Sequence, residues 1–418
     1  MSMSIRQVKK KFRQEVLVDA KGELNRKPVV VYRFARLCAK ASVGLFLSIF
    51  LGPISLVRPI EIWLMKLGPD KASHFINGIE AHLRRSQFEN KKSIKIVVWP
   101  QKFPNEALAQ LYRRVVYIVG PKQKLFASVM PFVIWKAKVY KNDVNRVDSE
   151  FLKRMSLGSP SINFSKKEIR LEESLMSDLC GGINKEFVVL GYTSSEYRTA
   201  VDKEFHPLDD LTSAISDPAL FCGAIKMLSD RGIGVVRMGH MLSENYELER
   251  AGLIVPDYSK YPSGFVEVWL AAKCKFLIAD AAGSYWFGKV FNKPILFVNS
   301  HGPKLQLSAR DLYLIQIPWN LKEKGYESFA WMRANPRWCY DSEKLGFKYT
   351  SINNSPEQII DVVDEQIARL DGTWVETDED EELQKRFQRF VWGKDADPAY
   401  LPRVGAKFLR EHQHLLPD

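Results

Sequence analysis

The groups best placed for chemistry gather around the stretch Val266 to Val298, VEVWLAAKCKFLIADAAGSYWFGKVFNKPILFV. An apolar run, Phe276 to Ala279, stops at Asp280, and Ala282, Gly283 and Ser284 turn the chain into a second helix. At the carboxyl end of a parallel strand, a turn of this kind lets backbone N–H groups approach a phosphate. The alternative is that Gly283 only permits a tight turn and Ser284 is an ordinary N-cap. Arg237 closes the run Gly234 to Met238 just before Gly239, where a guanidinium can fork two N–H groups onto two phosphate oxygens. The alternative there is a surface arginine at a strand edge. Two more strand ends join the set: Thr193 and Ser194 after FVVLGY, and Asp257 and Tyr258 after Ile254-Val255-Pro256. The four ends are expected to surround one nucleotide. His74 opens an amphipathic helix and is either a general base or a packed or capping side chain.

The elements that must carry these groups follow from periodicity. Ala72, Phe75, Ile76, Ile79 and Leu83 recur at helical spacing behind the turn Gly68-Pro69-Asp70. Ile94 to Trp99 reads as a central strand, Pro104-Asn105-Glu106 opens a helix, and Val115 to Val119 is the next strand, giving a first α/β sheet across roughly 90–160. The pattern loosens from Leu157 to Leu179, where the linker is expected. A second alternating region follows: strand Phe187 to Tyr192, helix Pro218 to Arg231, strand Gly234 to Met238, a short strand ending at Asp257-Tyr258, then the helix–strand–helix–strand unit of 266–298. The run DEDEE (378–382) is expected to be a solvated acidic linker ahead of a helical tail whose inner face is Phe387, Val391, Phe408 and Leu409, a tail able to cross back over the first domain.

Composition narrows the function classes. With 418 residues and 46% hydrophobic content the chain suits two globular domains. Five dispersed cysteines with no CxxC pair speak against a disulfide frame or structural zinc and fit a reducing cytoplasm. The GxGxxG, Walker, HExxH and Gly-x-Ser-x-Gly patterns are absent. Of the net charge of +12, residues 1–40 hold +8, from eleven Lys/Arg against three acids. This basic segment runs into the apolar Ala41 to Val57, which is short for a membrane-spanning helix and is interrupted by Pro53. A basic lead followed by an apolar stretch suits an anionic lipid surface better than nucleic acid, so an interfacial or re-entrant anchor is expected; the alternative is a buried helix of the first domain.

Several motifs together resemble bacterial GT-B glycosyltransferases of lipopolysaccharide, O-antigen and capsule biosynthesis. They are SHFINGIEAHL (73–83), PNEALAQLYRR (104–114), LSDRGIGVVRMGH (228–240), VPDY (255–258), LAAKCKFLIADAAGSYWFGKVFNKPILFVN (270–299), NSPEQIIDVVDEQIARL (354–370) and RVGAKFLREHQHLL (403–416). The resemblance implies an α/β chain with two Rossmann-like domains facing a cleft, divided as 1–58 (basic and apolar, membrane-associating), 59–180 (acceptor domain), 181–376 (nucleotide-sugar domain) and 377–418 (acidic linker and helical tail). It implies metal-independent sugar transfer from a nucleotide sugar to a surface-polysaccharide or lipid-linked glycan, with no cofactor. The protein would act in the cytoplasm, peripheral at the inner face of the membrane. Thr193, Ser194, Arg237, Gly239, Asp257, Tyr258, Ala282, Gly283 and Ser284 would hold the donor, and His74 would act as base. The sequence departs from the family in two places: the helical acid that binds ribose falls near Phe287, and the usual Gly-His pair is Ser73-His74. A nucleotide-sugar epimerase of the same fold and a non-catalytic, membrane-peripheral glycan-binding protein are the competing expectations.

Overall fold

The computed structural model describes residues 27–57, 60–64, 72–89, 93–99, 103–120, 138–141, 149–180, 186–192, 217–239, 246–280, 283–336, 338 and 348–417. These fall into two compact units, the first drawn from 1–79, 89–104 and 109–144, the second from 80–88, 105–108 and 145–418.

The first unit is built on a parallel sheet of β1 (Ile60–Leu64), β2 (Ile94–Val98), β3 (Tyr117–Val119) and β4 (Lys138–Lys141), in the order β3-β2-β1-β4. Its central strand, β1, pairs with both β2 and β4. The sequence IEIWL was not expected to be a strand, because buried Glu61 breaks the continuous apolar run that marks a strand covered on both faces. Phe75, Ile76 and Ile79 are fully buried on the helix Ala72–Glu89, as its spacing predicts, and Phe75 meets the rings of Trp99, Phe103 and Tyr112 edge-on. Ahead of the sheet runs a helix, Lys27–Val57, that carries Pro53 within it. Its buried positions Gly44 and Ser48 share a stripe with Leu47, which packs on Ile60, Ile62, Val98 and Val119. Off that stripe Val43, Leu45, Phe46, Ile49 and Ile54 are exposed. Among the described residues no helix is long and apolar enough to cross a membrane.

The second unit holds a seven-stranded parallel sheet of β5 (Phe187–Gly191), β6 (Gly234–Arg237), β7 (Leu253–Ile254), β8 (Leu277–Ala279), β9 (Ile295–Ser300), β10 (Leu312–Ile315) and β14 (Arg403–Val404), ordered β14-β10-β9-β8-β5-β6-β7. Every pairing in it is parallel. The chain lays down β5, β6 and β7 outward in one direction, then returns to the other side of β5 for β8, β9 and β10. This is the doubly wound Rossmann order, with its switch point between β5 and β8. A small antiparallel sheet, β12-β11-β13 (Gly325–Tyr326, Pro318–Asn320, Tyr349–Ser351), follows β10.

Within the looser stretch Leu157 to Leu179, residues 158–165 are irregular, as the polar SPSINFS suggests, and LEESLMSDLC, which reads as a helix of mixed character, falls in the helix Lys166–Cys180; with the helix Ser149–Leu157 it belongs to the second unit, and the two bury Leu152, Met155, Leu175 and Leu179. The acidic run, by contrast, is not the solvated linker expected. Residues Asp378 to Glu381 form the first turn of the helix Asp378–Trp392, where carboxylates oppose the positive end of the helix dipole, and Thr377 caps it. Asp380 is buried and ion-paired with Arg410. The tail's inner face, Phe387, Val391, Phe408 and Leu409, is buried, and its strand β14 completes the edge of the second unit's sheet.

Candidate functional site

Parallel open sheets leave a crevice beyond the carboxyl ends of the two strands that flank the switch point, because the crossovers there depart to opposite faces. In the second unit those strands are β5, which ends at Gly191, and β8, followed by the buried Asp280. The Gly191 carbonyl accepts from the Asp280 N–H at 3.4 Å and from the Ser284 hydroxyl at 3.4 Å. Ser284 sits so close to the end of β5 that a Cβ on Gly191 would lie 2.5 Å from its Oγ and 2.8 Å from its Cβ. Gly191 therefore has a packing reason to be glycine. Ser284 does occupy the N-cap position of the helix Tyr285–Val290, but its side chain makes no cap bond and reaches back to Gly191 instead.

Gly283 is different. Its backbone does not adopt positive φ, and among the described residues a Cβ built on it would meet nothing within 4 Å. Among the described residues, neither a positive φ nor a packing contact demands glycine at this position.

The next strand end contributes Arg237, paired in register with Leu190 of β5, with the Met238 N–H bonding the Leu190 carbonyl at 2.8 Å. Arg237 is 3% exposed and lies on a strand paired on both sides, so it is not a surface arginine at a sheet edge. Gly239, at φ 118°, turns the chain off β6 in a conformation that side chains rarely tolerate. Tyr258 fastens this turn: its hydroxyl donates to the Arg237 carbonyl at 2.8 Å and accepts from the Gly239 N–H at 2.9 Å. Burial raises the Tyr258 phenol well above its ordinary value, and the nearby Glu267 adds to the rise. The phenol thus stays protonated and keeps both bonds.

Asp257 and Tyr258 do not end a strand. The strand is β7, which ends at Ile254, three residues before Asp257, and Tyr258–Lys260 is a 3₁₀ turn whose N-cap is Asp257. The Asp257 carboxylate accepts from the Ser259 N–H at 3.1 Å and from its hydroxyl at 2.6 Å, contacts that hold its pKa below the usual carboxylate range. Pro256 has no N–H with which to extend β7, and Asp257 offers the local capping alternative.

Behind the turn, the helix Tyr285–Val290 is locked at its far end. Arg84, fully buried, donates to the carbonyls of Lys289 (2.9 Å), Val290 (3.1 Å) and Met155 (2.5 Å), and pairs with Glu80 at 2.8 Å. Sequence reading missed both Arg84 and Lys289. Lys289 is 6% exposed, its ammonium has no hydrogen-bond partner among the described residues, and it lies over the rings of Trp286 (5.2 Å) and Tyr285 (5.9 Å). Burial pulls its pKa down to about 7; Arg84 pushes the same way and Asp311 opposes. The signal available for it was a lysine on the apolar face of a helix between two core strands.

Of the sequence-derived residues, the structure brings together Arg237, Gly239 and Tyr258 as one bonded group, with Ser284 against Gly191 on the neighbouring strand. Asp257 flanks the first group as the cap of Tyr258's turn. Thr193, Ser194 and Ala282 lie outside the described residues. His74 lies in the first turn of the helix Ala72–Glu89, in the first unit. Among the described residues no group of three or more His, Cys, Asp or Glu is disposed to hold a metal ion.

No protein-family model matches the chain, and no curated protein sequence matches it. Among solved structures, it is similar to a glycosyl transferase family 9 protein from Veillonella parvula DSM 2008, at 10% identity and TM-score 0.43 over 74% of this chain and 97% of that one. The E. coli ADP-heptose lps heptosyltransferase II is similar at 14% identity and TM-score 0.40 over 74% of this chain and 98% of that one. The E. coli heptosyltransferase WaaC with ADP is similar at 12% identity and TM-score 0.30, over 62% and 91% of the two chains.

Proposed function

We propose that the protein is a GT-B glycosyltransferase that moves a sugar from a nucleotide-sugar donor to a surface-polysaccharide or lipid-linked glycan, without a metal. The observation that carries the proposal is the meeting, at the switch point of a doubly wound sheet, of a buried arginine, a tyrosine-fastened turn and a glycine whose side-chain space is open. The sequence motifs quoted above supply the choice of sugar transfer among nucleotide-binding activities.

Breaking the bond between the sugar's anomeric carbon and the diphosphate oxygen leaves negative charge on the diphosphate and positive charge on the sugar. The Arg237 guanidinium and the backbone amides at Gly283-Ser284 are the groups proposed to stabilise the leaving diphosphate, a preorganised electrostatic role. His74 is proposed to take the proton from the acceptor hydroxyl as it attacks that carbon. Thr193, Ser194 and Ala282 are proposed to complete the donor contacts. The basic lead of the chain and the exposed apolar residues of Lys27–Val57 support peripheral binding to an anionic membrane face, where a lipid-linked acceptor would reside.

The test is a panel of ADP-, UDP-, GDP- and CMP-sugars presented to the full chain in a metal-chelated buffer, with mass spectrometric analysis of every product. Transfer to a glycan primer or slow donor hydrolysis supports the proposal. An epimerised sugar nucleotide would place the protein among the epimerases instead, and glycan binding with no turnover of any donor would make it a binding protein.

A further inference from the structure

The small antiparallel sheet β12-β11-β13 has two unlike faces. Residues directly opposite one another in an antiparallel ladder point to the same side. Trp319 pairs with Tyr326 and Thr350, and Asn320 pairs with Gly325 and Tyr349. The Asn320 side is engaged with the protein: Tyr349 meets the ring of Trp331 at 4.5 Å, and Asn320 donates to Glu327 at 2.8 Å. Trp331 belongs to the helix Phe329–Ala334, which is anchored by its own buried Phe329 and Met332.

The Trp319 side is open. Leu321 and Lys348 extend it by one pair, since the Leu321 N–H bonds the Lys348 carbonyl at 2.9 Å. Leu321 is 52% exposed, Tyr326 42%, and Ile352, two residues beyond Thr350, 39%. Trp319 is half-buried and meets Tyr326 edge-on at 5.0 Å, while Tyr326 meets His412 at 5.9 Å, so both rings are held in place before anything binds.

The charge around this apolar strip has one sign in excess. Lys348 lies on the face, Lys322 and Lys324 lie in the turn that joins β11 to β12, and all three are exposed. The one acid in the turn is Glu323, exposed and 3.5 Å from Lys322, a pair that solvent screens. The turn is firmly built: the Asn320 side-chain oxygen accepts from the N–H groups of Lys322 at 3.0 Å and Glu323 at 3.1 Å, and its carbonyl accepts from Lys324 at 2.9 Å. Lys324 is held at φ 52°, in the left-handed region where glycine or asparagine is at ease.

We propose that this face docks on an anionic lipid surface, with Leu321 and Ile352 entering the acyl boundary, Trp319 and Tyr326 at headgroup depth, and Lys322, Lys324 and Lys348 meeting lipid phosphates. Aliphatic side chains gain by leaving water. Trp and Tyr suit the headgroup zone, where one part of the ring is apolar and the other wet. Lysine stems lie along apolar surface while their ammonium groups reach the anionic layer. A soluble anion would engage the lysines and leave Leu321 and Ile352 in water, and an apolar protein partner would leave three ammonium groups without counter-charge. An anionic bilayer answers both needs. The inference does not depend on the sugar-transfer reading, and the face lies wholly in the second unit, apart from the basic N-terminal segment.

The experiment applies hydroxyl-radical footprinting to the full chain with phosphatidylcholine vesicles, with and without phosphatidylglycerol, at low salt. Oxidation of Leu321, Tyr326 and Ile352 should fall several-fold on the anionic vesicles and recover as salt rises. Val375, 80% exposed elsewhere in the second unit, is the control within the chain and should keep its rate. Because the readout is residue by residue, attachment through the N-terminal segment does not mask it. In Leu321→Asp and in the double variant Lys324→Glu/Lys348→Glu, the protection of Tyr326 and Ile352 should be lost, with thermal melts verifying that both are folded. A chain that ignores anionic vesicles, or one that binds them while Leu321 and Tyr326 oxidise as in solution, overturns the proposal. Protection that appears without vesicles and grows with protein concentration assigns the face to a second copy. Protection by an acidic polysaccharide and not by vesicles assigns it to a glycan, and either result overturns the lipid assignment.

Discussion

Replacing Lys289 with methionine should stabilise the protein, and by an amount that depends on pH in a calculable way. The ammonium is enclosed, lacks a hydrogen-bond partner among the described residues, and has its pKa pulled from 10.5 to about 7, chiefly by burial. A lysine whose folded pKa is depressed binds fewer protons folded than unfolded, so its penalty is full below about pH 7 and fades as pH rises toward the unfolded value. Holding the amine near 7 in place of 10.5 corresponds to a penalty of about 4–5 kcal/mol at neutral pH and to a decline of about 1.4 kcal/mol per pH unit from pH 7.5 to 10. Methionine has similar length and removes the charge. Against this stand the lost contacts with Trp286 and Tyr285, about 0.5–2 kcal/mol, and the lost attraction for Asp311. That carboxylate keeps its bonds from the N–H groups of Ile295 and Ser308 and from the Ser308 hydroxyl. The net expectation is a gain of about 2–4 kcal/mol at pH 7.5 that shrinks steadily toward pH 10. Urea unfolding of both proteins at pH 7.5, 8.5 and 9.5 measures it, since the titrating groups that are not coupled to Lys289 cancel in the difference. A difference that stays flat with pH, or a variant less stable than wild type at pH 7.5, refutes the picture of an enclosed, uncompensated amine.

Other expectations concern the switch-point turn and the base. Gly191→Ala drives a Cβ into Ser284 and should lower stability by about 1–3 kcal/mol; Ser284→Gly in the same chain should recover most of it, a coupling read by a thermal double-mutant cycle. Gly283→Val has open space around it, so its melting temperature should match wild type while nucleotide affinity falls; unchanged affinity in calorimetry would remove the turn from the donor site. Arg237→Gln should weaken nucleotide binding by about 1.5–3 kcal/mol, or roughly 10- to 150-fold, with equal losses across donors that share a diphosphate. His74→Ala should lower turnover about 10²- to 10⁴-fold with donor affinity nearly intact, whereas a destabilised but fully active variant would show the residue to be structural.

What the sequence revealed and withheld follows from how local each feature is. The unit from 266 to 298 was legible nearly to the residue because its strands are short apolar runs and its helices are bounded by Gly264, Ser284 and Asn292. Arg237 and Gly239 were legible as a strand end, and their fastening by Tyr258 was not, since that bond joins residues about twenty positions apart. Asp257-Tyr258 was mistaken for a strand end because Ile254-Val255 looks extended and the capping competition at Asp257 leaves no periodicity to read. Glu61 hid β1 in the same way that the acidic residues 378–382 hid a helix start: charge was taken for solvation, and here it is buried or set against a helix dipole. The switch point itself is a property of strand order, which no window of the sequence contains. No element was read from the stretch 301–353, where β10 and the small antiparallel sheet form.

The edge strand β14 bears on how the chain is made. It pairs with β10, yet Arg403 is translated 88 residues after Ile315 (403 − 315). At about 5–20 residues per second, β10 presents an unpaired edge for roughly 4 to 18 s before its partner exists. Open strand edges are where nascent chains pair with one another. The two-residue closing strand brings its own fasteners: Gln384 takes the Val404 N–H at 3.2 Å, and Arg403 is pinned by Glu376 and Glu381 at 3.0 Å each. Ribosomes crowded on one message would thus hold several such half-finished edges at once. A truncation that ends before residue 403 should accumulate as aggregates during synthesis even where every residue of the switch-point turn is present.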